Sequence, residues 1–200
     1  MDYLKYRKSR DLSWQVLIDN NIICLPVKIS GICENLGIRI ISYEKGDKII
    51  KTVGLEKICS QNDGVTFNRA IFYNQKCSIA RQRFTIAHEL GHILMHTDSK
   101  YNREPSKDDL FIEREANVFA SRILAPACVL WGIGVKTAEE ICETCNISIV
   151  AAKFRMQRLN ALYEKEQRFI KEKGRSCFLT SSLEKKVYNQ FFNYIKTNKL

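Results

Sequence analysis

The chain contains three histidines, and all three fall within nine residues, in Ala87-His88-Glu89-Leu90-Gly91-His92-Ile93-Leu94-Met95-His96. Two of them bracket a glutamate as H-E-x-x-H, inside a stretch whose apolar spacing is helical. On a helix, positions i and i+4 project from one face, about one turn apart. His88 and His92 can therefore present two imidazole nitrogens to one metal ion, while Glu89, one step round, can reach a water on that ion. A purely structural use of histidine would leave some elsewhere in the chain, and there are none.

Two hundred residues, 45% hydrophobic and 27% charged, suit a globular chain with one proper core and an appendage. No uninterrupted apolar run reaches the length of a membrane span, and the opening MDYLKYRKSRD lacks the apolar centre of an export signal. These features predict a cytoplasmic protein without membrane insertion. Its eight cysteines are then expected as reduced, small apolar residues. Cys142-Glu-Thr-Cys145 is a single C-x-x-C without the second pair of a zinc ribbon, and it lies in a helical pattern.

The net charge of +10 is unevenly placed: residues 1–10 carry +3, residues 165–200 carry +6, and the body is nearly neutral. Basic ends of this kind suit either an acidic partner or solvated helix faces. The reading is a basic N-terminal tail (1–12), a domain at 13–164 whose part 131–164 resembles a helix-turn-helix, and a basic helical extension (165–200).

Trp14, Leu17 and Ile18 suggest a first helix, and Pro26 and Gly37 frame a second. Residues 38–43 and 48–53 read as strands about the turn Lys45-Gly46-Asp47, with further strands at 65–67 and 70–73. Connections this short predict an antiparallel sheet over 38–74. From Ser78 the period changes to that of a five-turn helix carrying the histidines. A polar loop from Thr97 to Lys107 precedes a helix at about 109–124, ended by Pro126, which can open a short helix of its own. Thr137-Ala-Glu-Glu140 is a capping box for another helix. After a break at Asn146 a long helix runs from Ser148 to about Lys173, and 182–200 is helical again.

Zinc requires a third protein ligand and, for catalysis, an open fourth position. His96 lies a further turn along from His92, which favours a supporting role. The next helix offers Glu113 and Glu115. Glu113 shares a face with Ala116, Asn117, Ala120 and Leu124, the small and apolar side that can approach the histidine helix. Periodicity alone leaves Glu115 open.

Residues 83–96 (Arg-Phe-Thr-Ile-Ala-His-Glu-Leu-Gly-His-Ile-Leu-Met-His), Glu113-Arg-Glu-Ala-Asn-Val-Phe-Ala120 and Ile123-Leu-Ala-Pro126 together resemble the ImmA/IrrE family of zinc metallo-endopeptidases. The resemblance covers about residues 13–160 and is most specific over 83–126. It implies an α+β fold with a zincin-like core, and Zn2+ held by His88, His92 and the glutamate of an E-x-x-x-N motif, here Glu113 with Asn117. It also implies a substrate, since many members cleave a helix-turn-helix repressor of a prophage or mobile element.

The expected chemistry is metal-assisted peptide hydrolysis with Glu89 as general base. Tyr73, Tyr101 and Arg83 are candidates for the additional oxyanion donor. A rival reading comes from 137–159, whose helix, turn at Asn146 and second helix bearing Lys153, Arg155, Gln157 and Arg158 have the rhythm of a DNA-reading unit. The protein would then be a DNA-binding regulator with a structural or sensory zinc. A third reading, a binding module without turnover, leaves Glu89 without a purpose.

Overall fold

The computed structural model describes residues 5–96, 107–174, 176, 179 and 181–200. The chain forms two compact units, Met1–Arg10 with Lys28–Ala120 and Asp11–Val27 with Ser121–Leu200.

The first unit is built on a three-stranded sheet of order β1-β3-β2, with β1 Arg39–Ser42, β2 Gly64–Phe67 and β3 Ala70–Tyr73. β2 and β3 form the expected hairpin, antiparallel from Gly64↔Tyr73 to Phe67↔Ala70. Its two-residue loop, Asn68-Arg69, has positive φ at both positions, the twist that matches paired strands. β1 departs from expectation by pairing with β3 in parallel. The reason lies in residues 48–53, which form no strand. Residues 48–52 belong to a helix, α3 (Tyr43–Thr52), with Val53 as its C-cap, followed by α4 (Glu56–Gln61), and these helices supply the crossover that a parallel pair needs.

Several local features favour α3 over a strand. The Ser42 side chain caps it by accepting from the Lys45 amide, and Asp47 pairs with Lys51 one turn on. Gly46 is buried with the Phe72 ring against it, so that a Cβ there would stand 2.8 Å from ring carbons. Tyr43, Gly46, Ile50 and Val53 thus form an inward helical stripe where the apolar residues alone suggested extended chain. Ile50, Leu55, Val65, Ala70 and Phe72 are buried together on this face of the sheet.

The opposite face receives α5 (Ile79–Met95), which contacts β2, β3 and α2 (Ile29–Asn35). α2 starts later than Pro26 suggested, after a cis Leu25–Pro26 bond, and ends before Gly37 at φ +66°. α6 (Lys107–Leu124) packs on α5 through its first unit portion, where Ala116 and Phe119 meet Gly91. α1 (Arg7–Asp19) begins inside the basic N-terminal segment. Tyr6 stacks on Phe111 of α6 at 5.7 Å, and Lys5 Nζ stands 5.5 Å from the same ring.

The second unit is helical, with α7 (Ala127–Ile133), α8 (Ala138–Cys145), α9 (Ile149–Lys173), α10 (Ser182–Gln190) and α11 (Phe192–Thr197). The Thr137/Glu140 capping box starts α8, and Asn146 ends it in the left-handed conformation. Leu17, Leu130, Ile141, Leu159 and Phe191 are buried here, and Gln190 ties α10 to the carbonyls of Leu17 and Ile22. The span Leu110–Ile133 is long and apolar enough to cross a membrane by length and composition, which no uninterrupted run had suggested. Of its most apolar window 72% is buried inside the protein, as in a core helix.

Candidate metal centre

α5 holds its register through Ser78, whose hydroxyl accepts from the Arg81 amide, and through Ile86, Ala87 and Leu90, which are buried. This leaves His88 and His92 on the face turned to α6. Close approach of the two helices depends on small residues. A Cβ on Gly91 would stand 3.3 Å from the Ala116 Cα and 3.1 Å from Phe119 Cδ1.

Across this contact Glu113 reaches both imidazoles. Its Oε2 lies 3.3 Å from His88 Nε2, its Oε1 lies 3.2 Å from His92 Nε2, and the two Nε2 atoms are 3.0 Å apart. Donors at zinc bond lengths of about 2.0–2.1 Å in a tetrahedron are separated by about 3.3 Å, so these spacings fit such an ion. Two imidazoles and a carboxylate also form a donor set suited to zinc. Among the described residues this is the group of histidine, cysteine and acidic side chains arranged to hold a metal.

His88 Nδ1 lies 3.1 Å from Asn117 Oδ1. An amide oxygen only accepts, so this bond requires a proton on Nδ1; in the neutral ring that leaves the Nε2 lone pair for a metal, and in the protonated ring Nε2–H donates to Glu113. Hydrogen bonds to His88 and then His92 hold the Glu113 carboxyl well below the usual carboxylate range. The Glu113 side chain is 54% exposed against 16% and 14% for the histidines, so the cluster opens to solvent on its carboxylate side.

Glu115, left open by periodicity, and His96, expected in a supporting role, face each other instead. Their side chains are largely buried, with His96 Nε2 3.5 Å from Glu115 Oε2. Burial raises the Glu115 carboxyl, partly offset by Lys8, and burial together with the His92 ring lowers His96. Glu89 lies on the sheet side of α5, where Thr66 Oγ1 donates to its Oε2 at 2.6 Å. Of the oxyanion candidates, Tyr73 ends β3, Arg83 is half-buried on α5, and Tyr101 lies outside the described residues.

The model of the peptidase M78 family, the IrrE N-terminal-like domain, matches residues 33–157. The chain belongs to this peptidase family. The match spans the sheet, α5, α6 and the first turns of α9, and it supports a metallopeptidase-type function. No curated protein matches the chain.

Within this M78 peptidase the α8–α9 pair has the anticipated turn, but its proposed reading residues are not all available. Arg155 is buried beside Ala152, Met156 and Leu159, and its Nε donates to the Ala125 carbonyl at 2.7 Å. It shares the inward stripe of α9, so it contacts protein rather than an outside ligand. The outward face instead carries Val150 and Phe154, 61% and 66% exposed, beside Lys153 and Gln157. Sequence reasoning also passed over Thr66 and the Glu115–His96 pair. Strand alternation placed Thr66 on the face opposite Val65, but nothing in the sequence named its partner.

Proposed function

We propose that this chain is a zinc-dependent endopeptidase with a zincin-like catalytic core, acting on a protein substrate in the cytoplasm. The observation that carries this reading is the convergence of His88, His92 and Glu113 beside the glutamate of the same motif, within a peptidase-family domain. The substrate class is a helix-turn-helix repressor of a prophage or mobile element, as the resemblance of 83–126 implies.

His88, His92 and Glu113 would hold the ion and leave its solvent side for water and substrate. A zinc ion there supplies Lewis acidity, lowering the pKa of water and polarising the scissile carbonyl. Glu89 accepts a proton from the attacking water as its oxygen bonds to the carbonyl carbon. It then delivers that proton to the amine nitrogen as the C–N bond breaks, so no proton is gained or lost overall. Asn117 keeps His88 in the tautomer that offers Nε2.

The test is digestion of a proteome-derived peptide library by the zinc-loaded chain, with new termini read by mass spectrometry. Wild type should cut and Glu89→Gln should keep one zinc per chain without cutting. Equal cleavage by the two removes Glu89 from the role of base, and salt-sensitive DNA binding by a chain that cuts nothing would favour the regulator reading.

A further inference from the structure

β2 reads Gly64-Val65-Thr66-Phe67, and a strand sends alternate side chains to opposite faces. Val65 and Phe67 join the apolar cluster under α3 and α4. Gly64 and Thr66 therefore face α5, and both meet the same side chain there. Thr66 is 9% exposed and Glu89 8%, and the threonine hydroxyl donates to Glu89 Oε2 at 2.6 Å. A Cβ on Gly64 would stand 3.1 Å from Glu89 Cγ, 3.3 Å from its Oε1 and 2.3 Å from Thr85 Cγ2. The missing side chain at 64 thus makes room for the glutamate that the hydroxyl at 66 fastens.

We infer that the Gly64-x-Thr66 face of β2 positions Glu89 for proton transfer, and Thr66 is a positioning residue for the peptidase reaction. This rests on the reading of Glu89 as base. A glutamate has three rotatable side-chain bonds, and an untethered carboxylate must be oriented anew in each turnover. Thr66 engages one carboxylate oxygen and fixes the rotamer, leaving Oε1 for the water proton. The hydroxyl has a single proton, so it can serve as this anchor without also satisfying the second oxygen. Because β2 is an edge strand of the sheet, the anchor is built into a hydrogen-bonded frame rather than a loop, which limits its play.

The experiment compares the full zinc-loaded chain with Thr66→Val, which keeps shape and loses the donor, Thr66→Ser, which keeps the donor, and Gly64→Ala. The readouts are zinc content, kcat and KM on the library peptide that wild type cuts fastest, and the Glu89 conformation in crystals. Losing one hydrogen bond to a carboxylate predicts a kcat about ten- to a hundredfold lower for Thr66→Val, with KM within about twofold and zinc unchanged. Thr66→Ser restores kcat to within about threefold of wild type, a rescue that a merely structural role for the threonine methyl would not give. In Thr66→Val crystals the Glu89 carboxylate has left its wild-type place. Wild-type kcat in Thr66→Val, or a Glu89 that has not moved there, overturns the inference. Should Thr66→Val fail to fold, Gly64→Ala takes its place: a lowered kcat with a displaced carboxylate sustains the inference, and wild-type kcat or an unmoved Glu89 overturns it. If wild type cuts nothing, or Glu89→Gln cuts equally, the peptidase reading fails instead. The crystals then decide positioning alone, a displaced carboxylate sustaining it and an unmoved one overturning it.

Discussion

Replacing Gly91 by alanine sets two opposing effects against each other at the contact that brings Glu113 to the histidines. In an ordinary helix interior the change gains about 1 kcal/mol, because alanine loses less backbone freedom than glycine. Here the new methyl would stand 3.3 Å from the Ala116 Cα and 3.1 Å from Phe119 Cδ1. The first neighbour is backbone, and the second belongs to a ring with no exposed surface. Neither can yield cheaply, and overpacking of a filled core costs about 1–3 kcal/mol. The net expectation is a loss of about 0–2 kcal/mol, read by denaturant unfolding of metal-free protein. A second signature follows from geometry. If α6 moves back by a few tenths of an ångström, Glu113 leaves the 3.2–3.3 Å spacing it keeps from the two Nε2 atoms. Metal sites tolerate about 0.2 Å of such error, so zinc affinity should fall about tenfold, measured by competition with a chromophoric chelator. A Gly91→Ala protein that gains the full helix-propensity increment and binds zinc as wild type does would refute the close-approach argument.

Further outcomes follow from the same centre. Asn117→Ala removes the partner of His88 Nδ1 and should weaken zinc binding about 10–100-fold with little change in fold, read by the same competition; unchanged affinity would show that Asn117 does not orient the ring. Glu113→Gln keeps the size of the third ligand but removes its charge, so metal analysis after dialysis should find far less than one zinc per chain; retention of a full equivalent would exclude Glu113 as ligand. His96 lies below the ordinary imidazole value of 6.5 because burial and the His92 ring disfavour its charged form. Its contribution to stability is therefore present above that value and lost as pH falls from about 6.5 through the folded-state value. Metal-free protein should lose stability from pH 7 toward pH 5.5, and His96→Gln should flatten that slope; an equally steep profile in the variant would assign it to other groups.

Much of this is legible in the chain, and the reasons differ by element. The i, i+4 spacing of His88 and His92 survives in any helix, so their meeting needs no tertiary information. Glu113 is favoured by its stripe of Ala116, Asn117 and Ala120, because a helix presents its small side where a neighbour comes close. α9 shows both its ends, with Ser148 capping its start and Gly174 its finish. α3 reads as extended chain because Ile49, Ile50 and Val53 suit strands locally, whereas the packing of Gly46 on Phe72 is a long-range fact. The expectation of an antiparallel β1 follows from that same misreading. Arg155 reads as a DNA contact in the sequence because its type is usually exposed, yet its helix position faces inward and a carbonyl receives it. Glu115 and His96 illustrate the remaining gap, since periodicity names a face but not the side chain opposite.

The candidate ligands come from two helices, with residues 93–112 lying between His92 and Glu113 in the chain. An ion at their meeting point is consequently also a fastener, since α6 cannot swing from α5 without breaking coordination. Occupancy then sets how often the pair parts: at free zinc a hundred times the dissociation constant, the closed arrangement gains about 2.7 kcal/mol over an open one that cannot bind. On the proposed function, scarcity of the ion would thus loosen α6 from α5 as well as remove the Lewis acid, so that metal starvation acts first by slackening the scaffold.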